Sequence, residues 1–203
     1  MRILITGFTP MGTWKQNSSE LLLRSLIENP LVVPDVEILL RLIPAQSFEL
    51  SRLLSDLITS SQPDACLFLG QAKARNKLTL ERFALNMIDF THPDADGCTR
   101  TAEPIVPDGP PAYRSTFPEL DAAVAALQAA GIPAAASNHG GTSLCNQLLY
   151  LALHQAAESA VPICAGFLHV PVMPEQVAEE WPDAAWMPLE TMREGLRIIL
   201  AHT

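Results

Sequence analysis

Only 17% of the 203 residues are charged, and no cluster of lysine or arginine stands out among them. With 13 Lys+Arg against 22 Asp+Glu the formal net charge is −9. Nucleic acid and anionic membrane surfaces are therefore poor partners, because both recruit basic patches. No apolar run is long enough to span a bilayer. The stretch Met1 to Gly7 is too short an apolar segment for a secretory signal, so a reducing cytoplasm is the expected compartment. Cysteines are few, at 66, 98, 145 and 164, and no two stand in C-x-x-C spacing, which argues against a zinc ribbon or a dithiol redox pair. His92, His139, His154, His169 and His202 show no metal-ligand spacing with one another or with the cysteines, and no metal site is expected. The glycine-bearing turn Thr6 to Thr13 lacks both the G-x-G-x-x-G spacing and a Gly-Lys-Ser/Thr ending, which disfavours a nucleotide. With Phe8 and Met11 in it, that turn suits the wall of an apolar pocket.

The chain is rich in apolar side chains, at 48%. Its length fits one domain, residues 1–203, large enough to bury a substantial core. Short β-rich runs alternate with longer helical patterns, which implies an α/β domain with a largely parallel or mixed sheet. The patterns predict strands at 2–6, 36–42, 65–69, 78–86, 133–137 and 163–170. They predict helices at 18–28, 47–60, 119–130, 142–158 and 189–201. The Pro- and Asp-rich stretch 91–114 reads as a long surface excursion, and 173–186, with Trp181 and Trp186, as a second irregular stretch. Cys66 and Cys164 lie in apolar runs and read as core, while Cys98 sits in a polar loop.

One cysteine differs in setting. Cys145 lies where the turn His139-Gly140-Gly141-Thr142 runs into the apolar helical pattern of Leu148, Leu149, Leu151 and Leu153. If Thr142 caps that helix, Cys145 falls in the first turn, where free N–H groups and the helix dipole favour a thiolate. His169 ends a buried strand downstream and is a candidate base, with His139 as a rival. A histidine base works best with an acid on its other nitrogen. Glu81 is the acid most deeply set in an apolar strand, and a buried carboxylate needs a cationic partner. Arg82 is adjacent but points to the opposite face of a strand, which leaves the imidazolium of His169. In most proteins each of these residues alone is core or surface; the three together carry the reading.

Four blocks in order, ILITGFTPMG with Asn17-Ser18-Ser19, LGQAKARNKLTLERFALN, SNHGGTSLCN and GFLHVPVMPEQ, resemble those of the type I pyroglutamyl peptidases. These are cysteine peptidases that remove an N-terminal pyroglutamate. The resemblance covers nearly the whole chain and implies a single three-layer α/β/α domain with a twisted, mainly parallel mixed sheet. It also implies a homo-oligomer, tetramer or dimer, and no metal or organic cofactor. By position it makes Cys145 the nucleophile, His169 the base and Glu81 the orienting acid. Phe8, Met11, Gln71, Ser143 and Leu144 become the substrate contacts, with a pyroglutamyl peptide as partner. Four positions depart from the family pattern: Met11 where a second aromatic is usual, Thr13 in place of a glycine, Ser143 in place of an aromatic, and Thr91 in place of an arginine. Two other readings stay open: a peptidase or amidase of altered specificity on the same triad, and a catalytically impaired binding homologue.

Overall fold

The computed structural model describes residues 1–90, 92–159 and 163–203. Its elements, in chain order, are β1 (Arg2–Phe8), α1 (Ser18–Glu28), β2 (Glu37–Ile43), α2 (Leu50–Ser61), β3 (Ala65–Gln71), β4 (Leu78–Glu81), β5 (Phe83–Leu85) and β6 (Ile88–Phe90). They continue with β7 (Arg100–Glu103), β8 (Ala112–Arg114), α3 (Leu120–Ala129), β9 (Ala134–Ser137), α4 (Leu144–Glu158), β10 (Cys164–Val170), α5 (Pro174–Glu179) and α6 (Leu189–Leu200).

Six strands form one sheet in the order β2-β1-β3-β10-β4-β9. Neighbours run parallel except at β10 and β4, which pair antiparallel. Strand β3 is buried at every residue, and β1 and β10 at all but their first. A strand covered on both faces reads as an unbroken apolar run, and ACLFLGQ is one.

Alternate residues of these strands serve different cores, because successive side chains point to opposite faces. Ile3, Ile5, Leu67 and Leu69 pack with Leu22 and Leu23 of α1, Leu127 of α3 and Leu196 of α6. Leu4, Cys66 and Phe68 pack instead with Leu54 of α2 and with Leu148 and Leu149 of α4. The result is the expected three-layer α/β/α arrangement around a mostly parallel mixed sheet.

Several expectations are corrected. The strand foreseen over 78–86 is two strands. Up to Glu81 it pairs with β10 and β9; at Arg82 the carbonyl takes the N–H of Ser115 instead, and β5 goes on to pair with the outlying β8. The excursion over 91–114 is folded back on the body. It contains β7, paired with β6, and β8, and its Asp94 is buried, accepting the backbone N–H groups of Ser47, Asp96 and Cys98. Thr91 lies outside the described residues. The stretch after β10 holds helix α5 and a bridge from Val172 to Trp186. Helix α4 starts at Leu144 with Ser143 at its cap and no side-chain cap bond, because the Thr142 hydroxyl donates to the Asp89 carbonyl.

Candidate active site

Three strands set one row of the site. His169 of β10 stands beside Gly70 of β3 and, on its other side, opposite Thr79 of β4. Thr79 and Glu81, two residues apart, share one face of β4. The Glu81 carboxylate reaches His169 there: Glu81 Oε1 and His169 Nδ1 are 2.8 Å apart, with both residues buried. Of the described histidines, His169 is the one whose ring meets Glu81. His139 is exposed; its Nδ1 accepts the backbone N–H of Gly141 at 3.0 Å.

Cys145 is the second residue of α4 and packs over Gly70. A Cβ built on Gly70 would stand 2.8 Å from Cys145 Sγ and 2.7 Å from Phe167 Cζ. Phe167 in turn flanks the His169 ring, with centroids 4.7 Å apart. A glycine in β3 thus lets the sulfur, the aromatic ring and the imidazole crowd against one another.

A cation unforeseen in the sequence also holds Glu81. Arg75, in the turn between β3 and β4, donates Nη1 to Glu81 Oε1 and to Thr79 Oγ1, and Nη2 to the backbone carbonyl of His139 at 3.0 Å. Arg82 points elsewhere as expected, pairing with Asp121 at 2.7 Å. The available signal for Arg75 was a cation just before a strand that carries a buried acid.

Charge in the site follows from burial first. Burial pushes the Glu81 carboxyl up, but the His169 hydrogen bond and charge, the Ser137 hydroxyl and Arg75 outweigh it, so it titrates below its ordinary range. Burial lowers His169, and Arg75 adds to that, against the opposing pull of Glu81; the imidazole is neutral at pH 7. Burial also pushes the Cys145 thiol up to about 12, helped by the Glu81 charge, with Arg75 and the Cys145 backbone N–H pulling weakly the other way. This corrects the expected resting thiolate. The helix-start position is real, but burial of the sulfur raises the thiol.

A cavity of about 470 Å³ opens over the sulfur and imidazole. Phe8, Met11, Trp14, Phe90 and Leu144 line it with apolar surface; Asn17, Gln71, Lys73, Asp89, His92 and Ser143 add polar groups. Every contact residue expected from the sequence lies on this wall, while Glu81 sits behind His169. Trp14, Lys73, Asp89 and His92 were not foreseen. Gln71 is held from behind: its Oε1 accepts the Ser18 backbone N–H and the Gln176 side-chain amide, both at 2.7 Å. Among the described residues, no group of three or more His, Cys, Asp and Glu is placed to hold a metal ion.

The model of one family, pyroglutamyl peptidase, matches residues 1–202. The chain belongs to the pyroglutamyl peptidase family of cysteine peptidases. It is 39% identical over 200 residues to the pyrrolidone-carboxylate peptidase of Thermococcus onnurineus, an alignment spanning 98% of this chain and 97% of that one. Among solved structures, the pyrrolidone carboxyl peptidase of Thermus thermophilus superposes with a TM-score of 0.89 at 35% identity, covering 99% of this chain and all of that one. Pyroglutamyl peptidase I of Bacillus amyloliquefaciens gives a TM-score of 0.91 at 30% identity, over 99% of this chain and 95% of that one. The pyroglutamyl peptidase fold thus extends over this chain from β1 to α6.

Proposed function

We propose that this single-domain protein, residues 1–203, hydrolyses the peptide bond after an N-terminal pyroglutamyl residue, with Cys145, His169 and Glu81 as its triad. One observation carries the reading: Cys145 and His169 line the same largely apolar cavity, and Glu81 holds the far nitrogen of that imidazole. The lactam of pyroglutamate is neutral and compact, so apolar walls with a few amide or backbone groups suffice to bind it. Phe8, Met11 and Leu144 supply apolar walls; Gln71 and Ser143 supply polar ones.

With the thiol and imidazole both neutral at rest, the reaction begins by proton transfer. As Sγ attacks the scissile carbonyl carbon, its proton passes to His169 Nε2, and Glu81 stabilises the imidazolium that forms. Backbone N–H groups at the start of α4 face the developing oxyanion. The C–N bond then breaks, the leaving amine takes the proton from His169, and a thioester to Cys145 remains. Water attacks that thioester, gives its proton to the same imidazole, and pyroglutamate leaves as the thiol is restored.

A second reading draws on Met11 and Ser143, which stand on the cavity wall at positions where the family's usual residues are aromatic. On it, the same triad serves a different acyl group. Turnover of a pyroglutamyl fluorogenic amide, beside its proline and acetyl-alanine analogues, separates the two. Preference for the pyroglutamyl compound supports the first reading, preference for an analogue the second, and no turnover of any leaves a binding homologue. The four free cysteines suit the cytoplasm, and no helix among the described residues is long and apolar enough to cross a membrane. We propose a homo-oligomer there, dimer or tetramer, which sedimentation tests.

A further inference from the structure

The guanidinium of Arg75 meets three acceptors that belong to three parts of the site. Glu81 Oε1 is the oxygen that also meets His169; Thr79 Oγ1 lies on the β4 residue directly opposite His169; and the His139 carbonyl belongs to the turn that leads into the Cys145 helix. A planar fork with several fixed donors is suited to such a task, and a lysine ammonium is not. The Arg75 side chain is three-quarters covered while Glu81 is 1% exposed, so the contacts form in a partly desolvated setting.

We infer that Arg75 is a positioning residue, which fixes the acid–base pair of β4 and β10 against the turn that leads into the helix of the nucleophile. The inference rests on the proposed triad but not on the identity of the substrate. Geometry alone makes Arg75 the link between strand and turn. Its charge has a second effect, because it faces Glu81 from β4, His169 from β10 and Cys145 from α4. A cation there opposes protonation of His169 and favours ionisation of Cys145 and Glu81. Removing it therefore raises the pKa of His169 and moves the acid limb of kcat/KM to higher pH.

Arg75→Met and Arg75→Lys separate linkage from charge. In metal sites, partners that orient a working imidazole are worth roughly 10- to 100-fold, and a comparable fall in kcat with little change in KM is expected for Arg75→Met. Its acid limb should move to higher pH, and added guanidinium should restore part of the rate. Arg75→Lys should keep the limb in place yet lose rate, since one ammonium cannot bridge three acceptors. Wild-type kcat in both variants overturns the inference. So does a loss in Arg75→Met with an unmoved limb and no rescue, which marks a merely structural arginine.

Thr79→Val covers the case in which Arg75→Met does not fold. It removes one acceptor and keeps the cation, and should lower kcat severalfold with an unmoved limb; an unchanged kcat there counts against the three-point link. The pH dependence of Cys145 alkylation by iodoacetamide gives a readout free of substrate. Were the wild type inactive on pyroglutamyl compounds, the substrate reading would fail, while a shifted alkylation profile in Arg75→Met would still support Arg75 in its role.

Discussion

Gly70 and Cys145 share a space that only a hydrogen atom leaves open: a methyl group on Gly70 would reach within 2.8 Å of the sulfur. On its far side it would meet Phe167, which in turn abuts the imidazole. Gly70→Ala should therefore displace the sulfur, the ring or both. A displacement of about 1 Å at reacting groups costs on the order of 10²-fold, and kcat/KM should fall by about that much. Overpacking of a filled interior costs about 1–3 kcal/mol, so the protein should remain folded in a urea titration. Full activity in Gly70→Ala would show that the site does not depend on this contact.

Replacing the proposed nucleophile tests the assignment directly. Cys145→Ser should lose essentially all turnover with its fold intact, since a hydroxyl of similar size is far harder to ionise. Among the other cysteines Cys66 is fully buried, and iodoacetamide should label Cys145, which lines the cavity, before Cys66. Substantial hydrolysis by Cys145→Ser would place the nucleophile elsewhere.

The pH profile follows from two neutral partners. His169 titrates below its ordinary value of about 6.5, and the Cys145 thiol is pushed up to about 12. Activity should persist below pH 6.5 and show no alkaline transition near the usual thiol value of about 8.5. An ion pair formed at rest would instead give rapid alkylation of Cys145 that stays flat across neutral pH.

Stability should decline on the acid side in two stages. The His169 imidazole binds its proton at lower pH when folded than when unfolded. The unfolded chain therefore gains a proton first as pH drops through about 6.5, and folding weakens. Glu81 titrates low when folded, so its contribution is full above the unfolded value of about 4.3 and is lost as pH falls through the lower folded value. Urea midpoints from about pH 7.5 down to about pH 2.5 test the order. Glu81→Gln should remove the second stage and, by leaving Arg75 without its carboxylate, cost about 3–5 kcal/mol. Its kcat should fall by roughly 10³-fold or more, short of the loss in Cys145→Ser.

Met11 gives the pocket test. An aromatic ring filling an apolar vacancy is worth about 1–3 kcal/mol, so Met11→Phe should lower KM for a pyroglutamyl amide. A raised KM would mean that Trp14 or Phe90, both on the same wall, already fill that space.

The blocks around Cys145, His169 and Glu81 were legible because each combines a strong local pattern with an unusual polar residue: a glycine turn before a helix, or a charged group ending a buried strand. Strands β1, β3 and β10 declared themselves as continuous apolar runs. Less legible was whatever depends on a change of partner. Residues 78–86 keep one β-rich pattern, yet the chain swaps the β10 edge for Ser115 at Arg82. Asp94 reads as a loop residue until three backbone N–H groups from two segments converge on it. Arg75 carries no periodic signal, and its acceptors lie 4, 6 and 64 residues away. The resting charge of Cys145 also escaped, since helix position is written in sequence and desolvation is not.

The two cores on opposite faces of the sheet do not bear equally on chemistry. Cys145 leans on the cluster that includes α2 and α4, and the same cluster holds Phe167, which supports the imidazole from below. The other cluster joins α1, α3 and α6 and includes no atom of sulfur or imidazole from the site. Sequence drift can therefore proceed at different speeds on the two sides of one sheet. Among α1, α3 and α6, conservative exchanges of bulk should appear as small changes in stability. Between α2 and α4 the same exchanges press on the helix that carries Cys145 and so bear on the distance between its sulfur and the imidazole.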